Sequence, residues 1–229
     1  MTFGVVTFPG SNCDDDMAHV LSEVVGQPAE RLWHKDTILP DGLDCVVLPG
    51  GFSYGDYLRC GAVARFSPIM QAVVQFANRG GYVLGVCNGF QILCEAGLLP
   101  GVLLRNSGQK FICKNTFLQT QTTDSVLTKS LDPNKILKIP IAHAEGRFYA
   151  SEQALKEIVT NNQILFKYCD ENGDLTAAAN PNGTSLHIAG ICNRQRNVFG
   201  MMPHPERAAD AVLHNSDGLH LFKSLLSNI

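Results

Sequence analysis

The sequence predicts an α/β fold: a mixed, mostly parallel sheet flanked by helices, with an antiparallel part added to it. Three observations carry this. Short apolar runs of strand length alternate with amphipathic stretches through the first hundred residues, the pattern of strands covered by crossover helices. After residue 100 the chain changes to strand-like segments separated by turn residues. No internal repeat, low-complexity segment or long Pro/Ser/Gly linker divides the 229 residues, so one domain, 1–229, is expected.

In chain order, "FGVVTF" (3–8), "ERLWH" (30–34), "DCVVLP" (44–49) and "YVLGV" (82–86) have the length and β-branched content of strands. Residues 14–25 and 68–79 carry helical spacing. The second of these starts with Ser67 as a cap and Pro68 at the first helical position, where no amide hydrogen is needed, and Gly80-Gly81 ends it. "KFICKNTFLQTQ", "ILKIPIAH", "ILFKYCD", "IAGICN" and "VFGMMP" read as further strands, with a hairpin turn at Asn172-Gly173. A last helix, about 216–227, is capped by Ser216 or Asp217.

The formal charge of -3 comes from charges spread along the chain. With no basic cluster to track a phosphate backbone, nucleic acid is not an expected partner. No stretch approaches the roughly 18 apolar residues of a membrane span, and "MTFGVVTFPG" lacks the basic start and apolar core of a secretory signal. A cytoplasmic location is the expectation. The eight cysteines are scattered without a C-x-x-C pair and are expected to be reduced, most of them as small buried hydrophobes. The triplet Asn182-Gly183-Thr184 matches a glycosylation acceptor and carries no weight.

Chemistry concentrates at Gly85-Val86-Cys87-Asn88-Gly89, a G-x-nucleophile-x-G pattern between an expected strand and an expected helix. In that context the chain turns sharply and the sulfur projects above the sheet edge, at a helix N-terminus whose partial positive charge favours thiolate. A free thiol is only a few per cent ionised at neutral pH, so such help is needed. The competing reading makes Cys87 a core thiol and the glycines mere packing devices.

A nucleophilic thiol needs a base. His204, in "GMMPHPER", follows an expected strand at the end where parallel-sheet enzymes gather their sites, and Glu206 lies two residues on. In an extended segment both side chains point the same way, and the carboxylate holds one ring nitrogen while the other takes the thiol proton. Alone, H-P-E could be a surface turn. With the elbow it forms a Cys87-His204-Glu206 triad. Two donors for an oxyanion follow: the backbone N–H of Asn88, which opens the helix, and that of Gly51 in "VVLPGGFSYGD", where glycines let bare backbone approach. The Gly50-Gly51 pair could also be a plain turn.

These residues resemble the class I (triad) glutamine amidotransferases, with Gln91 completing "GVCNGFQ". Longer stretches, "FPGSNCDDD", "PGGFSYGDYLRCGAVARFSPIM", "EAGLLPGVLLRNSGQKFICK" and "NPNGTSLHIAGICN", are similar to the glutaminase subunits of phosphoribosylformylglycinamidine synthase. The resemblance covers nearly the whole chain and departs from the family's "IAHGEGR" at Ala144. It implies a flavodoxin-like glutamine amidotransferase fold and L-glutamine as substrate, hydrolysed through a γ-glutamyl thioester on Cys87. It places Gln91 near the substrate, although helix packing is an equal reading.

No G-x-x-x-x-G-K-[ST] or G-x-G-x-x-G occurs, so no nucleotide cofactor is expected in this chain, and no metal site is expected either. By the resemblance, ATP and Mg are used by a large synthetase subunit, joined by a small third subunit, which aminates formylglycinamide ribonucleotide in purine synthesis. The 50s loop with Tyr54, Asp56, Tyr57 and Arg59, and the segment from His143 to Arg147, are the candidate docking face. A stand-alone thiol hydrolase would need no such partner, and a binding module would tolerate loss of Cys87.

Overall fold

The computed structural model describes residues 1–227. Its main sheet has nine strands: β1 Phe3–Thr7, β2 Ala29–Trp33, β3 Cys45–Leu48, β4 Tyr82–Val86, β6 Ile112–Thr120, β7 Leu137–His143, β9 Ile164–Cys169, β10 Ile188–Cys192 and β11 Val198–Met201. A separate antiparallel pair is formed by β5 Val102–Leu104 and β8 Arg147–Tyr149. Across the main sheet the order is β2-β1-β3-β4-β11-β10-β9-β6-β7. Pairings from β2 to β11 are parallel and those from β11 to β7 antiparallel, so only β10 and β6 run against the other strands. This is the mixed sheet with an antiparallel extension that the segment pattern predicts.

The central strands are buried along their whole length. Cys45, Val46, Val47, Leu48, Val83 and Leu84 are at most 1 % exposed, which is why these runs are continuously apolar instead of alternating. Each such Val or Leu contributes about 1.5–3 kcal/mol by leaving water. Helices α1 Asp14–His19, α2 Pro68–Asn78, α3 Asn88–Glu95, α4 Glu152–Thr160 and α5 Leu219–Ser227 cover the sheet, and α1 runs on as a π-helical turn, Val20–Val24.

Several local expectations are corrected. Ser67 occupies the cap position of α2 without capping it, because its hydroxyl is bonded to the Tyr54 hydroxyl at 2.8 Å. At Asn172-Gly173 the chain does turn, with Asp170 Oδ1 accepting from Asn172 N–H and Asp174 N–H. Strands β9 and β10 pair antiparallel, yet a long loop separates them, so the turn does not close a tight hairpin. The last helix begins at Leu219, and the Asp217 carboxylate instead accepts from Lys138 N–H and pairs with Lys135. Helix α4 was not foreseen; Ser151 caps it, accepting from Ala154 N–H at 3.2 Å.

One consequence of topology positions the site. Strand β7 is the far edge of the sheet from β2, yet the Pro140 carbonyl accepts from His204 N–H at 2.8 Å. The antiparallel half therefore curls back over the C-terminal ends of β3, β4 and β11, roofing the place where those strands deliver their loops.

Candidate active site

Cys87 sits between β4 and α3 with φ 51 and ψ -104, a conformation L residues avoid at a cost of about 1–3 kcal/mol. The strain is held from both sides: Cys87 N–H donates to Met201 O at 2.8 Å, and Gln91 N–H donates to Cys87 O at 3.2 Å. The flanking glycines serve space, not torsion, since neither lies at positive φ. A Cβ on Gly89 would land on the Leu48 carbonyl, and one on Gly85 would reach Leu93 and the Gly89 backbone. Adjacent strands β3 and β4 can thus hold the elbow tightly only without side chains at 85 and 89.

The sulfur is less open than a projecting elbow implies. Cys87 is 5 % exposed, because β7 lies over it; its S–H points at the Ala142 carbonyl, 3.7 Å away. The cover is polar as well as apolar.

His204 follows β11 in an extended conformation, φ -99 and ψ 90. Its Nδ1 is 2.6 Å from Glu206 Oε1, and both side chains are essentially inaccessible. The pair does not arise from an extended segment as expected: Pro205–Ala208 forms a 3-10 turn, with Arg207 N–H donating to His204 O, that folds Glu206 back beneath the ring. The ring's other nitrogen, Nε2, is buried without a hydrogen-bond partner. Burial opposes charge on the imidazole, but Glu206, with Cys87 adding to it, outweighs burial and holds the His204 pKa well above its ordinary value. The arrangement can hold a proton on His204 beside Cys87 at neutral pH.

Of the expected oxyanion donors, Asn88 N–H is the first amide of α3 and has no intrahelical acceptor. Gly51 lies at φ 148 and packs against the backbone of Gly10, Ser11 and Asn12, where no Cβ fits. Asn88 N–H adjoins the elbow, and Gly51 lies in the loop three residues beyond β3. Gln91 is 5 % exposed, with both ends of its amide engaged: its oxygen accepts from Asn88 Nδ2 at 2.9 Å, and its Nε2 donates to Glu145 O at 2.6 Å. Asn88 Oδ1 in turn accepts from Ser53 N–H. This chain of amides ties α3 to the two loops that border Cys87.

Those loops differ from the expected docking face in detail. Tyr54 turns inward, its hydroxyl 2.7 Å from His34 Nδ1, and Arg59 is held by both carboxylate oxygens of Glu95. His143 is buried against Asn106, while Tyr57 (76 % exposed) and Leu58 (92 %) face outward. Ala144 is not at positive φ, so its methyl group adds no backbone strain.

Sequence reasoning missed four neighbours of the triad. His143, on β7, donates Nδ1–H to Asn106 Oδ1; burial, then the charge of His204, depress its pKa to about 4, so it stays neutral. Tyr168, on β9, has a buried hydroxyl without a partner, and the pKa of its phenol is pushed up by burial and by nearby Cys87. Cys13 and Arg207 lie against the His204–Glu206 pair. The extension of H-P-E to H-P-E-R was the visible signal for Arg207; Cys13 lies in the stretch "FPGSNCDDD", where no pattern gives its thiol a role. All eight cysteines are free and six are buried. Asn182, of the glycosylation-like triplet, is completely buried.

Cys13, His204 and Glu206 bring donor atoms within 4.8 Å of one another, a spacing a metal could use. The chemistry does not favour one: His204 Nδ1 and Glu206 Oε1 are spent on each other, and the Arg207 guanidinium sits 3.1 Å from the Cys13 sulfur. A divalent cation would face that fixed charge.

The profile of the CobB/CobQ-like glutamine amidotransferase domain matches residues 2–224. A phosphoribosylformylglycinamidine synthase subunit PurQ from Nostoc sp. is 57 % identical over 229 residues, covering 100 % of this chain and 98 % of the relative. One from Moorella thermoacetica is 54 % identical, covering 99 % and 95 %. Among solved structures, that of PurLQS from Thermotoga maritima aligns with a TM-score of 0.87 at 39 % identity, over 99 % of this chain and 97 % of that one. A glutamine amidotransferase from Thermotoga maritima, at 14 % identity and a TM-score of 0.55 over 97 % of this chain and 89 % of that one, shares the fold alone. A strained cysteine elbow facing a buried histidine–glutamate pair, in a chain alike over its full length to the PurQ relatives, places it in the CobB/CobQ-like glutamine amidotransferase family, among the phosphoribosylformylglycinamidine synthase subunits PurQ.

Proposed function

We propose that this chain, acting as one unit over residues 1–229, is the glutaminase of a phosphoribosylformylglycinamidine synthase, with Cys87 as nucleophile, His204 as acid and base, and Glu206 as the group that holds His204. The observation that carries the reading is the 2.6 Å His204–Glu206 pair standing beside an elbow cysteine. The Cys87 thiolate attacks the side-chain carboxamide carbon of L-glutamine. The oxygen gains the negative charge and is held by Gly51 N–H and Asn88 N–H. Losing one such donor costs about 3–4 kcal/mol in the transition state. As the C–N bond breaks, the nitrogen takes its proton from His204 and leaves as ammonia. Water, losing a proton to His204, then cleaves the γ-glutamyl thioester to glutamate and restores the thiolate beside the protonated imidazole. Gln91 serves by bracing the loops around the substrate.

With Cys87 and His204 at 5 % and 2 % exposure, glutamine enters only after the loops move. The 50s loop is the suited segment: Tyr54, Asp56 and Leu58 all sit at positive φ, strain that a rearrangement of the loop would release. Free ammonia would be protonated in water, so the product must pass directly to an acceptor. A large synthetase subunit, using ATP and Mg to activate formylglycinamide ribonucleotide, and a small third subunit complete the assembly, in the cytoplasm. No helix among the described residues is long and apolar enough to cross a membrane. The exposed Phe52, Tyr57, Leu58 and Phe66 beside the site form the face that meets the synthetase.

The test uses the assembled synthase. Cys87→Ala abolishes glutamine-dependent amination while leaving amination from added ammonium salt intact. Retained glutamine-dependent turnover would reject the assignment.

A further inference from the structure

Cys13 is the cap residue of α1, brought to the catalytic base by two backbone contacts: Cys13 N–H and Asn12 N–H both point at the Gly50 carbonyl, at 3.2 and 3.5 Å. Cys13 is buried, and its sulfur is engaged on two sides. The S–H donates to Asn12 Oδ1 at 3.1 Å, and Arg207 Nη2 donates to the sulfur at 3.1 Å. Arg207 is itself anchored by Nε donating to Asp16 Oδ2 at 3.0 Å. A third side of the sulfur faces the dyad, within 4.8 Å of a ring nitrogen of His204 and of a Glu206 oxygen. Gly50 makes this approach possible, since a Cβ there would lie 2.7 Å from His204 Cε1 and 2.9 Å from the Cys13 sulfur.

We infer that Cys13 is a positioning residue for His204: its sulfur, locked by Arg207 and Asn12, buttresses the imidazole and presents a soft acceptor to the dyad. This rests on His204 being the base. The groups that face the ring are Glu206 from its own segment, Cys13 from the cap of α1, Cys87 from the elbow and His143 from β7, with Arg207 behind Cys13. Cys13 is among the groups that favour the protonated ring. Removing the sulfur takes away the atom that holds Arg207 at 3.1 Å and a group that favours the protonated ring, which lowers the ring's affinity for its proton. The alkaline limb of turnover, set by loss of the acid that protonates ammonia, then moves to lower pH. The same linkage couples α1, through Asp16 and Arg207, to the catalytic base.

The experiment is the pH profile of glutamine-dependent turnover for Cys13→Ala and Cys13→Ser in the assembled synthase, with His204→Ala alongside. Loss of the buttress lets the imidazole shift by a fraction of an ångström, which predicts kcat down about 10- to 100-fold for Cys13→Ala with KM within about twofold. The alkaline limb moves down by about one pH unit. Cys13→Ser, which keeps a smaller acceptor, recovers part of both. Wild-type kcat and an unmoved limb in Cys13→Ala would overturn the role while leaving the triad standing. So would a fall in thermal stability with an unmoved limb in both variants. Should His204→Ala retain turnover, the triad assignment itself fails, a result separable from the other two.

Discussion

Replacing Gly50 by alanine tests the packing around the base more sharply than removing the base itself. The added Cβ would stand 2.7 Å from His204 Cε1. Ordinary contact begins near 3.4 Å, so the ring must give way by about 0.7 Å. It has little freedom to do so, because Nδ1 is bound to Glu206 at 2.6 Å and the backbone N–H to Pro140 O at 2.8 Å. Misplacing a catalytic group by about 1 Å costs about 100-fold in rate, so the shift predicts a loss of kcat of about 30-fold. Overpacking adds about 1–3 kcal/mol of destabilisation. Gly50 is not at positive φ, so the effect comes from contact and not from backbone strain. The assay is glutamate release by the assembled synthase, resolved into kcat and KM, beside a thermal melt. Gly108→Ala, where a Cβ meets nothing within 4 Å, is the control. A Gly50→Ala enzyme within twofold of wild-type kcat would refute the claim that this contact sets the position of His204.

Other perturbations have equally definite outcomes. In Glu206→Gln the carboxylate that most raises the His204 pKa is gone and burial prevails, so the alkaline limb of kcat moves to lower pH and kcat falls by about 100- to 10,000-fold; an unmoved limb would contradict the pairing. His143 has a folded pKa of about 4 against 6.5 unfolded. Its unfolded form therefore binds the extra proton between those values, and stability is lost as pH falls from 6.5 toward 4, by up to about 3 kcal/mol; His143→Gln flattens that part of the stability profile in pH-dependent denaturant melts. Leu58→Asp, at a side chain 92 % exposed, leaves the melt of the isolated chain unchanged and weakens binding to the synthetase subunit by at least tenfold in titration calorimetry.

The parts of the fold legible in the sequence are those whose signal is local. The central strands announce themselves because burial on both faces demands continuous apolar residues, as at 45–48 and 82–86. The elbow was legible because a strained turn between a strand and a helix leaves glycines at defined offsets around Cys87. What was missed depends on contacts distant in sequence. The three-residue strands β5 and β8 exist only through each other. Ser67 looks like a cap until Tyr54 claims its hydroxyl. The curl that lays Ala142 over Cys87 follows from five strands pairing in succession, so an elbow expected to be open is covered. Helix α4 was a different kind of miss, since Ser151 as cap and the Glu152–Lys156 pair are local signals. Cys13 joins the site through tertiary packing, since no nucleophile pattern surrounds it in the sequence as one surrounds Cys87.

The central claim is that the sulfur at 87, alone among these thiols, forms a bond to the glutamyl carbon. Rapid mixing of the assembled synthase with glutamine, acid quenching and mass analysis of peptides tests it directly. The account predicts a glutamyl adduct confined to the peptide containing Cys87, rising and decaying with turnover, and absent from Cys87→Ala. An adduct on Cys13 or another cysteine, or undiminished glutamate release by Cys87→Ala, would contradict it.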